Sequence, residues 1–172
     1  MAAILALVEE GMISPTAEDV AARANVGLRT VFRHFKDMES LYAEIMLELG
    51  KRFAALAAPF ASADWQGQLR ELTERRLTTY EMLMPFKRAA DAHRHESKAL
   101  HAHHAGMLAV MRARLHGLLP TEIASDPALF EALDLTLSFD AWQRLRSEQG
   151  LSEAPARSVV QALLHALLPF KP

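Results

Sequence analysis

The chain has 172 residues and a formal net charge of -2, so it is not a generally basic protein, and any affinity for a polyanion must sit in a local patch. Hydrophobic residues make up 51%, enough for a well-buried core, while the absence of cysteine excludes disulfides, thiolate metal sites and a cysteine nucleophile and fits a reducing cytoplasm. No apolar run approaches the ~20 residues that span a bilayer, so the expectation is a soluble, cytoplasmic protein with no membrane partner.

The opening stretch MAAILALVEEG has no basic leader, and Glu9 and Glu10 close its short apolar run. It reads as an amphipathic helix ended by Gly11, not as a signal peptide. Thr16 is placed as an N-cap, with Asp19 three residues on to complete a capping box. The second helix then runs from about Ala17 to Ala24. Asn25 tolerates the left-handed conformation and turns the chain into a third helix at Leu28. Asp37 is placed to cap a long fourth helix, with apolar residues at Leu41, Ile45, Leu49, Phe53 and Leu56, that Pro59 stops.

A helix from near Trp65 to Met84 is expected to break or kink at Pro85. A short piece from Phe86 to Asp91 leads to a His-rich stretch and a helix from about Glu96 to Leu119. Asp126 followed by Pro127 marks the start of a helix that runs to Gln149 and stops at Gly150. Ser152 starts the last helix, which ends before Pro169. Periodicity is helical throughout, with no sustained strand alternation and no internal repeat, so the fold class is all-α.

One short segment stands out. In NVGLRTVFRHF, Leu28, Val31 and Phe35 share one helical face, and Arg29, Thr30, Arg33 and His34 share the other. The first face is expected to pack on Val20, Ala21, Ala24 and Val26. No acid lies between Val20 and Lys36, and two arginines at i,i+4 destabilise a helix by roughly 0.2 to 0.5 kcal/mol. An external polyanion would neutralise them, and helix, tight turn and basic helix is the pattern of a helix-turn-helix that enters the DNA major groove. A solvated basic face on an ordinary helical hairpin would carry the same charges.

The string from Thr16 to Met46, TAEDVAARANVGLRTVFRHFKDMESLYAEIM, closely resembles the DNA-binding segment of the TetR family of bacterial transcriptional regulators. The resemblance implies an N-terminal three-helix unit, residues 1–40, followed by a larger effector-binding and dimerisation domain, residues 41–172. It implies that Thr16 caps the second helix against a phosphate, and that Gly27, Leu28, Arg29, Thr30, Arg33 and His34 face the groove. Phe32 would touch backbone in the place usually held by Tyr, and Lys36 would contact phosphate. Arg29 is the best candidate for reading a base, because its planar fork matches the acceptor pair on guanine.

Three positions depart from the family pattern. Gly27 stands where the family often has Ser, and Met38 where Lys is common. The chain also starts at Met1 with a shorter first helix and no basic arm, so either the start is truncated or DNA affinity is reduced.

In the family picture the later helices bind a small molecule and form a dimer. Apolar residues from Asp126 to Gln149 fall in two stripes, Leu129, Leu133 and Leu137 in one, Leu135, Phe139, Trp142 and Leu145 in the other, and such a helix is buried on two sides. With the last helix, two copies would make a four-helix bundle. The interface candidates are Leu133, Leu137, Ala141, Val160, Leu163, Leu164 and Leu167. For an apolar or aromatic effector, the Met- and aromatic-rich set Leu77, Tyr80, Met84, Phe86, Met107, Met111, Phe139 and Trp142 is the candidate pocket.

In the His-rich stretch DAHRHESKALHAHH, His101 and His104 at i,i+3 are weak metal candidates, but the spacing fits no established site and no metal is expected. No phosphate loop, nucleophile elbow or H-E-x-x-H is present, so neither an enzyme nor a cofactor is expected. The expectation is a ligand-responsive regulator, a repressor binding a palindromic operator as a homodimer. The alternative is a truncated helical ligand-binding dimer with weak or no DNA binding.

Overall fold

The computed structural model describes residues 1–34, 38–52 and 54–168. The described residues contain no strand, and the all-α expectation holds. In chain order α1 spans Ala2–Glu9, α2 Ala17–Ala24, α3 Leu28–His34, α4 Met38–Arg52 and α5 Ala54–Ala57. α6 spans Trp65–His93, α7 Lys98–Leu118, α8 Thr121–Ala124, α9 Pro127–Thr136 and α10 Phe139–Gln143; a π-helical turn, Arg144–Glu148, precedes α11, Glu153–Leu167. The Asp37 cap and Phe53 lie outside the described residues.

The chain forms two compact units. The first joins Met1–Ala54 with Met82–Leu108; the second joins Ala55–Glu81 with the chain from Ala109 onward. α6 and α7 therefore each contribute to both.

In the first unit, Leu5, Val8, Val20, Ala21, Val31 and Ile45 are among the buried apolar residues. Two side chains cap the start of α7: the Ser97 hydroxyl accepts from the Leu100 N–H at 3.1 Å, and the Glu39 carboxylate from the Ala99 N–H at 3.0 Å. These are N–H groups that a helix cannot satisfy itself.

The core of the second unit gathers Leu69, Leu72, Leu115, Leu133, Trp142 and Val160, each at most 1% exposed. Within it Arg76, also 1% exposed, donates to the carbonyls of Leu137 at 3.2 Å and Met111 at 2.6 Å. The Tyr80 hydroxyl donates to the same Leu137 carbonyl at 2.9 Å. Burial lowers the Arg76 pKa and raises that of Tyr80, since each charged form loses water.

Two elements differ from the sequence expectation. Pro85 sits inside α6, which continues to His93. Proline removes one helical donor and crowds the preceding turn at a cost of roughly 3 kcal/mol. Its neighbours Leu83 and Phe86 are both buried, and that packing carries the helix through.

The helix expected from Asp126 to Gln149 is divided. The Asp126 cap and Pro127 start are present, but α9 ends at Thr136 with Leu137 as its C-cap, and the Ser138 hydroxyl accepts from the Ala141 N–H at 3.0 Å to start α10. Serine offers the backbone this alternative to a continuous ladder. The break changes the packing argument: Leu133 and Leu137 from one stripe and Trp142 from the other are buried in one core. A second chain is not needed to cover them.

Candidate nucleic-acid interface

The first three helices are built by local chemistry. Gly11, at φ +98°, closes α1 in a conformation that side-chain-bearing residues rarely adopt. The Thr16 hydroxyl accepts from the Asp19 N–H at 3.1 Å, and the Asp19 carboxylate accepts from the Thr16 N–H at 2.8 Å, so the capping box is complete. The Thr16 hydroxyl also donates to Asp19 at 2.6 Å. These bonds from Thr16, hydroxyl first and amide second, hold the Asp19 carboxyl below its usual range. Asn25 ends α2 in the left-handed conformation, φ +52° and ψ +48°.

Val31 turns inward from α3, while Val20 and Ala21 are buried on α2. Ala24, the last residue of α2, and Val26, in the turn after it, are exposed and do not pack with them as expected. The outer side of α3 presents Leu28, Arg29, Phe32 and Arg33, all exposed, with Phe32 at 64%. A solvent-facing phenylalanine between two arginines has nothing to gain from water.

Arg23 on α2 forms a two-pronged ion pair with Glu10, one arm at 3.0 Å, and this bond holds the Glu10 carboxyl below its usual range. Among the described residues no acid pairs with Arg29 or Arg33. The basic stretch thus divides into one arginine that joins α1 to α2 and two that meet no acid among the described residues.

Thr16 and Gly27 are exposed and Thr30 is half-buried. A Cβ at Gly27 would meet nothing within 4 Å, so the missing hydroxyl there is a matter of chemistry and not of space. Lys36 and the side chain of His34 lie outside the described residues.

Residues 2–45 match the family model for bacterial regulatory proteins of the tetR family. The segment is a TetR-family helix-turn-helix domain. Neither curated proteins nor solved structures gave a match. The match supports a DNA-binding role in transcription regulation for this segment. Among the described residues no helix is long and apolar enough to cross a membrane.

Outside the TetR-family domain, the effector candidates belong to both compact units. Leu77, Tyr80 and Trp142 are at most 2% exposed in the core of the second unit, with the Tyr80 ring edge-on to Phe139 at 5.0 Å and Met111 Sδ 3.9 Å from the Tyr80 hydroxyl. Met84, Phe86 and Met107 belong to the first unit, where Phe86 lines a cavity. Sequence reading missed the residues that share this cavity, Ser14, Tyr42 and His93; the adjacent small residues Ala89 and Ala90 were the signal for open space.

Of the interface candidates, Leu133, Leu137, Val160 and Leu164 are buried within the chain, Ala141 and Leu167 are half-buried, and Leu163 is 46% exposed. Leu135, at 67%, is more exposed than any of them.

No group of three or more His, Asp or Glu side chains among the described residues is placed to hold a metal ion. His101 is exposed, and His104 Nε2 lies 3.0 Å from an Arg94 guanidinium nitrogen, a donor that competes for the lone pair a metal would use.

Proposed function

We propose that the chain is a ligand-responsive repressor that binds a palindromic operator as a homodimer in the cytoplasm, with residues 1–40 holding the DNA and residues 41–172 serving effector binding and dimerisation. The observation that carries this reading is the outer side of α3. There Arg29 and Arg33 lie beside the exposed Phe32 with no acid partner among the described residues, on a chain whose net charge is negative. Arg29 reads a guanine edge, Arg33 and Lys36 meet phosphate, and Leu28, Thr30 and Phe32 supply apolar and backbone contacts in the groove. Thr16 sets the start of α2 against a phosphate, as helix N-termini do.

Two copies would place their recognition helices ~34 to 36 Å apart, in successive major grooves. Exposed Leu163, with Leu167 one turn on and half-buried, is the part of the expected interface that can meet a second copy, and Ala141 is half-buried. A small apolar or aromatic effector releases DNA by favouring another arrangement, and by no more than its differential affinity for the two states.

Fluorescence anisotropy of the purified chain tests this, using duplexes from its own upstream region and a scrambled control over a salt series. Saturable binding that prefers its own region and weakens with salt is expected. No binding by a folded dimer, or full affinity in Arg29→Ala, overturns it.

A further inference from the structure

The first unit encloses a cavity of about 100 Å3 that the DNA-binding reading leaves unused. α1 contributes Leu5 and Val8 to its wall, α4 contributes Ile45, and α6 contributes Ala89 and Ala90, whose small side chains leave the space open. Among the described residues no Asp, Glu, Lys or Arg lines it. Its polar groups lie together: the Ser14 hydroxyl is 2.8 Å from His93 Nε2, and the Tyr42 ring stacks on the His93 ring with centroids 5.7 Å apart. Ile13, also in the lining, is 51% exposed and marks the mouth.

We infer that this cavity is a binding site for a small neutral molecule made of one aromatic or alicyclic ring with a single hydrogen-bonding group. The uncharged wall rejects an ion, which would lose its water with no counter-charge to replace it. An ordered water needs two to four polar partners, and the Ser14–His93 pair offers them at one edge alone. An apolar cavity of ~150 Å3 in another protein stays dry and holds benzene, so this smaller, open one takes a single ring whose outer edge rests at the mouth beside Ile13. The ring meets the aliphatic wall, and its polar group joins the Ser14–His93 pair.

The site also has a consequence for DNA binding, and this part rests on the proposed regulator reading. α4 follows α3 directly in the chain, and α1 is held to α2 by the Glu10–Arg23 pair. A ring seated against both α1 and α4 therefore acts on the two helices that flank the DNA-binding pair. It loosens operator binding to the extent that it prefers the DNA-free arrangement.

Phenol is the probe and benzene its control, each titrated into the full chain without DNA and followed by amide chemical shifts. Saturable shifts at the cavity residues, with phenol preferred over benzene by about threefold to tenfold, are expected. Ala90→Leu fills the space and weakens both probes by roughly tenfold or more; Ala89→Met, with its helicity checked by circular dichroism, serves if that variant fails to fold. Ser14→Ala removes the preference for phenol and leaves benzene binding in place. Shifts that do not saturate, that fall elsewhere, or that persist undiminished in a folded filled variant overturn the site. Phenol is then added to the operator complex, where a loss of affinity that the filled variant does not show is expected. Unchanged operator affinity overturns the coupling alone, and absence of operator binding overturns the regulator reading while leaving the site standing.

Discussion

On α3, Arg29 and Arg33 project from an exposed face with no acid partner among the described residues, whereas in the second unit Arg112, Arg146 and Arg157 each meet carboxylates. Arg112 bridges Glu131 at 2.5 Å and Asp134 at 2.6 Å, Arg146 reaches Glu81 at 2.6 Å, and Arg157 reaches Glu74 at 2.6 Å. Those acids belong to other helices or turns, so these arginines join elements. The α3 pair meets no carboxylate among the described residues. Its mutual repulsion costs only a few tenths of a kcal/mol, which a fold tolerates easily, and a polyanion placed outside would turn that cost into attraction. The same residue type thus has two uses, and the presence or absence of an acid neighbour separates them.

Arg76 breaks the simple form of this comparison, because among the described residues it forms no ion pair with a carboxylate and yet lies inside the second unit. Carbonyls satisfy its terminal nitrogens, and its Nε has no partner among the described residues. Its contribution is therefore packing and volume more than charge. Arg76→Ala is expected to cost about 3 to 5 kcal/mol, through a cavity and lost bonds to two carbonyls. Arg76→Met is expected to cost about 1 kcal/mol or less, since an apolar side chain of similar length replaces a poorly paired buried cation and the Leu137 carbonyl keeps the Tyr80 hydroxyl. Urea unfolding of both variants checks this. Equal losses would mean that the guanidinium charge itself holds the core.

The α3 pair predicts the opposite division. Arg29→Ala and Arg33→Ala each reduce operator affinity by about 1 to 3 kcal/mol, with Arg29 also relaxing base preference and Arg33 lowering the salt dependence. Melting temperature stays at the wild-type value or rises slightly, because a repulsion is removed. Anisotropy and thermal melts on the same samples separate the two effects. A fall in melting temperature alone would place these arginines with the joining class.

These contrasts show which features a sequence makes readable. The Thr16–Asp19 box, the left-handed Asn25 and the closure at Gly11 depend on residues three or four positions apart, so their chemistry is visible in the string itself. The exposed Arg29 and Arg33 followed from helical spacing once α3 was placed, whereas Phe32 came from the family resemblance alone and Leu28, which spacing put on the packed face, is exposed. Ser138 was hidden because serine can sit in a helix or end one, and only the packing of Leu137 and Trp142 decides which. Of the break or kink expected at Pro85, the break is absent for the same reason, its local penalty being outweighed by buried neighbours. The Arg23–Glu10 pair, the carbonyl partners of Arg76 and the cavity beside Ala90 depend on residues brought together from distant parts of the chain, and periodicity carries no record of them.

Thr16 tests whether a residue of the interface can also be a residue of the fold. Thr16→Ala is expected to lower stability by about 1 kcal/mol through loss of the cap, and to weaken operator binding as well. Thr16→Ser keeps both, because the bonds run through the hydroxyl and the backbone N–H. Paired melts and anisotropy read the outcome. A variant that binds DNA fully but melts early would assign Thr16 to the fold alone.

The smallest effect concerns an anion treated as the joining arginines are. Glu71 accepts from the backbone N–H groups of Ser62 at 2.7 Å and Ala61 at 3.0 Å and pairs with Arg75, which itself holds the carbonyls of Ala58 and Pro59. The Ser62 hydroxyl and then the two backbone N–H groups bring its carboxyl down to about 2. A lowered folded-state pKa means that the carboxylate's stabilisation is complete above the unfolded value of ~4.3 and is lost as pH falls towards the folded one. The melting temperatures of wild type and Glu71→Gln should therefore differ by a constant amount at neutral pH and converge between those two values. A difference that persists unchanged at the acid end would show that the segment before α6 depends on the shape of the Glu71 side chain and not on its charge, and the likeness between this anion and the paired arginines would then fail.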